Sequence, residues 1–145
     1  MTFDDEYPTC LDTYATLRIF LPETLKPDVV TNSLGILPTR SFAKGEKFGG
    51  SGQVRRHSAW FLSSQDAVAS KDTRRHIAWL LERMSNKKDE IVFLRKSEAE
   101  LDICCYYLSV GQGGPTMSAD QMTALGHLRL DVWWDIYFDS DVDTR

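Results

Sequence analysis

The segment Phe48-Gly-Gly-Ser-Gly-Gln-Val-Arg-Arg sets glycines among cations, the residue types from which a chain builds a nest of backbone N–H groups for phosphate. Arg40, Lys44, Arg55 and Arg56 are the candidate phosphate ligands of that loop, with Lys47 as a further counter-ion. Two requirements of the familiar phosphate motifs are missing. No Gly-Lys-Ser or Gly-Lys-Thr follows the glycines, and the loop does not run from a strand straight into a helix. A second run, Gly111-Gln-Gly-Gly-Pro, stands before a helix start, where glycines also serve a tight turn.

Metal and nucleophile chemistry find less support. His57, His76 and His127 lie far apart, with no pair at the i, i+4 spacing of a zinc-binding helix. Cys104 and Cys105 are adjacent in a strand-like segment, point to opposite faces and cannot share one metal. No Gly-x-Ser-x-Gly elbow surrounds any serine, and His57 beside Arg56 reads as a strand-edge residue rather than a base. No catalytic residue, metal or cofactor is therefore nominated, and the chain is read as a non-enzyme.

The last strand carries the most unusual pattern. Leu130, Val132, Trp134, Ile136 and Phe138 fall on one face, while Asp131, Trp133, Asp135, Tyr137 and Asp139 fall on the other. Carboxylates interleaved with large aromatics are costly on an open surface. Two accounts compete: Trp133 and Tyr137 pack beneath a loop or the central helices, or the five residues form a partner-binding surface in which aromatics anchor and acids complement a basic protein.

These segments belong to a chain of 145 residues, 42% hydrophobic and 26% charged, which suits one compact domain over 1–145. The net charge of -4 is unevenly spread. Residues 1–12 carry Asp4, Asp5, Glu6 and Asp12 without a base, and the end of the chain, including an acidic tail over 139–145, is equally acidic, so the middle is basic. Such a division would gather most of the acid on one region of the fold, where a basic partner would dock. The acidic total argues against nucleic acid. No stretch reaches the length of a membrane span, the N-terminus lacks signal-peptide character, and three cysteines make no disulfide framework, so the expected location is cytoplasmic.

Periodicity supplies the elements that must position these groups. Alternation over 14–20 predicts a strand, and Pro27, Asp28 and Gly35 bracket a short helix with Val30 and Leu34 inward. Residues 38–53 read as a long loop, and 58–64 as a strand with Trp60 and Leu62 on one face. Ile77, Leu80, Leu81 and Met84 form the stripe of an amphipathic helix, followed by a second helix over 89–100 with Ile91 and Leu94 inward. Residues 102–110 read as a strand; Ser118 and Gln121 form a capping box for a helix that presents Met122 and Leu125 to the core and stops at Gly126. The segments following strands 14–20 and 102–110 echo one another. The expected fold is α+β: a single mixed β-sheet built from two β-α-β halves with helices packed on one face, resembling a ferredoxin-like sandwich with extra central helices.

Leu34-Gly-Ile-Leu-Pro-Thr-Arg-Ser, Lys44-Gly45, Trp60 with Leu62-Ser-Ser, and Gly113-Gly114 before a helix and an Asp-rich strand together resemble the bacterial domain-of-unknown-function 4279 family, from about Tyr14 to Phe138. The resemblance implies a small α+β domain, with no established reaction and no catalytic signature to carry over.

The function expected from these features is a non-enzymatic protein-binding module, in its most concrete form a bacterial immunity-type protein that blocks a basic toxin. Two alternatives stay open: a small phosphate- or nucleotide-binding domain or enzyme using loop 44–56, and a self-associating domain that buries the last strand across a dimer. The chain would be a monomer or a homodimer.

Overall fold

The computed structural model describes residues 1–139; Asp141, Asp143 and Arg145 of the acidic tail lie outside the described residues. Five strands and four helices follow in the order β1 (Cys10–Leu21), α1 (Pro27–Leu34), β2 (Arg40–Phe42), β3 (Ser58–Ser63), α2 (Thr73–Met84), α3 (Lys88–Lys96), β4 (Glu100–Ser109), α4 (Ala119–Leu128) and β5 (Asp131–Phe138). They form a single mixed sheet in the order β2-β3-β1-β4-β5. β1 runs antiparallel to both β3 and β4, whereas β4 and β5 are parallel.

Ala15, Leu17 and Ile19 of β1, Trp60 and Leu62 of β3, and Ile103 and Cys105 of β4 share one buried face of the sheet. Val30, Leu34, Ile77, Leu80, Ile91, Leu94, Leu125 and Leu128 from the four helices pack on it as one core. Each large aliphatic side chain sealed there contributes about 1.5–3 kcal/mol of transfer free energy. All four helices thus cover one face, and the opposite face has no helical layer among the described residues.

Both expected β-α-β halves are present: β4-α4-β5 is a parallel crossover between neighbouring strands, and β1-α1-β2 is a split one, since β1 and β2 both run antiparallel to the β3 that lies between them. In the first half, α1 leads into the antiparallel pair β2–β3, so β3 returns alongside β1 in the opposite direction. The loop expected over 38–53 contains strand β2 and a Lys47–Val54 bridge, with Phe48 N–H donating to the Gln53 carbonyl at 3.0 Å.

Helix ends obey local chemistry. Gly35 closes α1 in the left-handed conformation, at φ 67°. The Asp72 side chain caps α2 by accepting from the Arg74 amide, and Ser118 and Gln121 make the expected capping box on α4. Gly126 does not end α4. The helix continues to Leu128 and closes on Arg129, at φ 58°. Met122, expected inward, is exposed, and Gln121 is buried instead because the buried stripe is Gln121, Leu125 and Leu128. The Gln121 amide is satisfied by donating to the Arg74 carbonyl at 2.7 Å.

Candidate functional site

Alternation along the strands dictates what the uncovered face displays. Register places Asp12, Leu108 and Tyr137 in one row across β1, β4 and β5, then Tyr14, Tyr106 and Asp135, then Thr16, Cys104 and Trp133, then Arg18, Asp102 and Asp131. Toward the other edge, Arg18 lies opposite Phe61 and Phe61 opposite Arg40, while Ala59 separates Phe20 from Phe42.

The two halves of this face differ in charge. Toward β5, Tyr14 and Tyr106 stack with centroids 4.8 Å apart, and Tyr106 meets Tyr137 at 5.6 Å. The carboxylates of Asp12 and Asp135 flank this aromatic run, and Asp131 lies two rows away beside Asp102. Hydrogen bonding with Asp135, followed by its charge, holds the Tyr137 phenol above the usual range. Toward β2, cations lie on phenyl rings: the Arg55 guanidinium is 4.1 Å from the Phe42 centroid and 4.0 Å from that of Phe48, and Arg40 lies 5.5 Å from Phe42. Between the halves, Arg18 and Asp102 neutralise one another.

Trp133 is 63% exposed and Tyr137 50%, so neither packs beneath a loop or a central helix. That account of the strand is overturned, because the helices occupy the other face. Asp131, Trp133, Asp135 and Tyr137 do share one face, as alternation requires, and Asp139 follows directly, its N–H donating to the Ser109 carbonyl at 3.0 Å.

The acidic ends converge only in part. Asp12 joins the open face opposite Leu108. Asp5 is held on the helical side by Arg75, whose Nε donates to it at 2.6 Å, and by the Ser70 hydroxyl, also at 2.6 Å; these bonds hold its carboxyl below the ordinary value. Asp4 contributes its backbone N–H to Asp72 at 2.8 Å. Burial pushes the Asp72 carboxyl up, but the hydrogen bonds from Arg74 and Asp4 outweigh it and the net direction is down. Arg74 and Arg75 therefore tie the N-terminal segment to α2.

Of the four candidate phosphate ligands, Arg40 and Arg55 lie on Phe42, and Arg56 lines a cavity of about 480 Å³ with Phe20, Phe42, Phe48, Arg55 and His57. Lys44 turns away to an ion pair with Glu23.

A serine–histidine pair that spacing did not reveal lies in the interior. The Ser64 hydroxyl meets His76 Nδ1 at 2.7 Å and accepts the Ala15 N–H at 3.0 Å. His76 Nε2 faces the Ser70 carbonyl at 2.8 Å; a carbonyl only accepts, so Nε2 carries the proton and Ser64 donates to Nδ1. Ser64 is 0% and His76 1% exposed. No substrate can reach this hydroxyl, and burial lowers the imidazole's affinity for a second proton. The pair bolts the loop after β3 to β1 and α2. Twelve positions separate its members, a distance no motif marks.

Among the described residues, no helix is long and apolar enough to cross a membrane, and no group of three or more His, Cys, Asp or Glu side chains is placed to hold a metal ion. No curated protein and no solved structure matches the chain. One family profile does, over residues 12–139, a span that includes all five strands except the start of β1. The chain therefore belongs to the family described as Domain of unknown function (DUF4279).

Proposed function

We propose that this chain is a non-enzymatic protein-binding module whose docking surface is the open sheet face, centred on the acidic and aromatic half at β5. The observation that carries the reading is the exposure of Trp133 and Tyr137 beside Asp131 and Asp135 on a face that no helix covers. Aromatic side chains offer large anchoring area at low conformational cost, and the carboxylates steer a cationic partner. In its most concrete form the partner is a basic bacterial toxin whose working surface the chain occludes in the cytoplasm, as an immunity-type protein would.

The test is capture of partners on the immobilised full chain from its source cell, read together with the neighbouring genes. A stoichiometric basic protein encoded next door, whose toxic activity the chain suppresses at equal molar ratio, is the expected result. Trp133→Ala with Asp135→Lys should abolish capture from a folded protein. Capture that survives this double variant would overturn the reading.

A second reading draws on the cavity of about 480 Å³, where aromatic rings and the cations Arg55 and Arg56 could take a phosphorylated ligand. A nucleotide that raises the melting temperature of the native chain, and fails to do so after Arg55→Ala with Arg56→Ala, would favour it.

A further inference from the structure

The edge strand β5 has a second feature that partner docking on the open face leaves unused. Trp134, Ile136 and Phe138 point to the helical side of the sheet, yet they are 40%, 44% and 69% exposed. Only Leu130 and Val132, before and at the start of the strand, reach the core cluster. Among the described residues, the outward backbone groups of β5 are equally unpartnered. Asp139 N–H donates to the Ser109 carbonyl of β4, and a strand residue directs its N–H and C=O to the same side, alternating along the chain. Asp131, Trp133, Asp135 and Tyr137 therefore bond toward β4, while Val132, Trp134, Ile136 and Phe138 aim theirs at the free edge. The opposite edge is blunted: β2 has three residues, and β5 has eight.

We propose that a second copy of this chain occupies the free edge of β5, antiparallel about a two-fold axis beside Trp134, so that two five-stranded sheets join into one. The register follows from three constraints. Opposed residues in an antiparallel pair share a face, so the axis passes beside a residue and not between two. An axis at Asp135 would set Asp135 against itself and Asp131 against Asp139, and like charges directly opposite are destabilising. An axis at Ile136 or Val132 would leave much of the strand unpaired. Placed at Trp134, the axis sets Trp133 opposite Asp135 and Asp131 opposite Tyr137 on the open face, with Val132 opposite Ile136 on the helical face. Each aspartate then faces an aromatic, each apolar side chain faces another, and the outward backbone groups form hydrogen-bonded pairs.

The axis stands perpendicular to the sheet, so both open faces lie on the same side and remain uncovered. The inference adds to the proposed partner binding without depending on it, and would place the two acidic and aromatic halves side by side at the centre of a doubled surface.

Sedimentation equilibrium of the full chain from low to high micromolar concentration should give twice the 16.5 kDa of one chain. Ile136→Pro removes an outward N–H that β4 does not use, and Trp134→Lys sets two cations face to face on the axis; each should sediment as a monomer with unchanged far-ultraviolet dichroism. In a Cys104→Ser background, Trp134→Cys should oxidise to a covalent dimer, since Cα atoms of a hydrogen-bonded pair lie about 5.5 Å apart. Asp135→Cys should not. A wild-type monomer at high concentration, a dimer that persists in Trp134→Lys, or crosslinking at position 135 in preference to 134 would each overturn the proposal. In Trp134→Lys, loss of self-association with partner capture retained supports this pairing and leaves the docking reading standing, whereas a wild-type dimer that captures no partner would count against the docking reading alone.

Discussion

Arg18 and Asp102 meet in a two-pronged pair at the centre of the open sheet face, with Nε to Oδ1 and Nη2 to Oδ2 both at 2.7 Å. They divide that face into a cationic half over Phe42 and Phe61 and an acidic half over Tyr106 and Tyr137. Both side chains are less than one-third exposed, so the pair is partly shielded from water.

Removing one partner should cost more than removing both. Asp102→Asn strands the Arg18 guanidinium on the sheet and should lower stability by about 1–2 kcal/mol, whereas Arg18→Met with Asp102→Leu should be nearly neutral. Urea unfolding of the two variants measures the difference, and equal losses would show that the charges do not couple.

The exposed anchors on β5 should be separable from folding. Trp133→Ala with Asp135→Lys should change unfolding free energy by no more than about 0.5 kcal/mol, because neither side chain supports the core. A fall of several kcal/mol on urea titration would mean that Trp133 holds the sheet together.

Acid should loosen the interior through His76. Burial holds its folded-state pKa below the ordinary 6.5, so the unfolded chain binds a proton that the folded chain excludes. Its contribution is intact above about pH 6.5 and is lost as the pH falls toward the lower folded-state value. Melting temperature against pH should show this decline. Ser64→Ala, which leaves the Ala15 N–H and His76 Nδ1 unpaired, should cost about 1–3 kcal/mol at neutral pH.

Thiol labelling should report the open face. Burial pushes the Cys10 thiol up to about 11 and the Cys105 thiol up to about 12, and both side chains are sealed. Cys104, half-buried between Thr16 and Trp133 in its row, is raised chiefly by burial but has access to solvent. Maleimide at mildly alkaline pH should modify Cys104 alone in the native protein, and a bound partner should protect it. Modification of all three thiols at one rate would contradict the burial pattern.

Gly113 should resist substitution while Gly114 tolerates it. At φ 105°, a Cβ on Gly113 would lie 2.5 Å from the Tyr7 hydroxyl and 2.9 Å from Thr9 Oγ1, and an L-residue in the left-handed region already costs about 1–2 kcal/mol. Gly114 has nothing within 4 Å of such an atom. Gly113→Ala should melt earlier than Gly114→Ala by a margin visible in a thermal scan; matching curves would refute the steric account.

Local physics determined much of this protein from residue order alone. The period-two pattern from Leu130 to Phe138 placed Asp131, Trp133, Asp135 and Tyr137 on one face, because a strand leaves no other arrangement. Pro27 with Gly35, and Ser118 with Gln121, marked helix boundaries through bonds that span a few residues. The helix end at Gly126 was not legible, since packing of Leu125 and Leu128 on the core extends α4 past it. Only the tertiary structure decided which side of the sheet the helices cover, and hence that Trp133 and Tyr137 are open rather than buried. It also decided that Ser64 and His76 meet, that the N-terminal acids are split between α2 and the open face, and that β5 is an edge. Each of these depends on strand order and on contacts between distant segments, which no local pattern of residue types encodes.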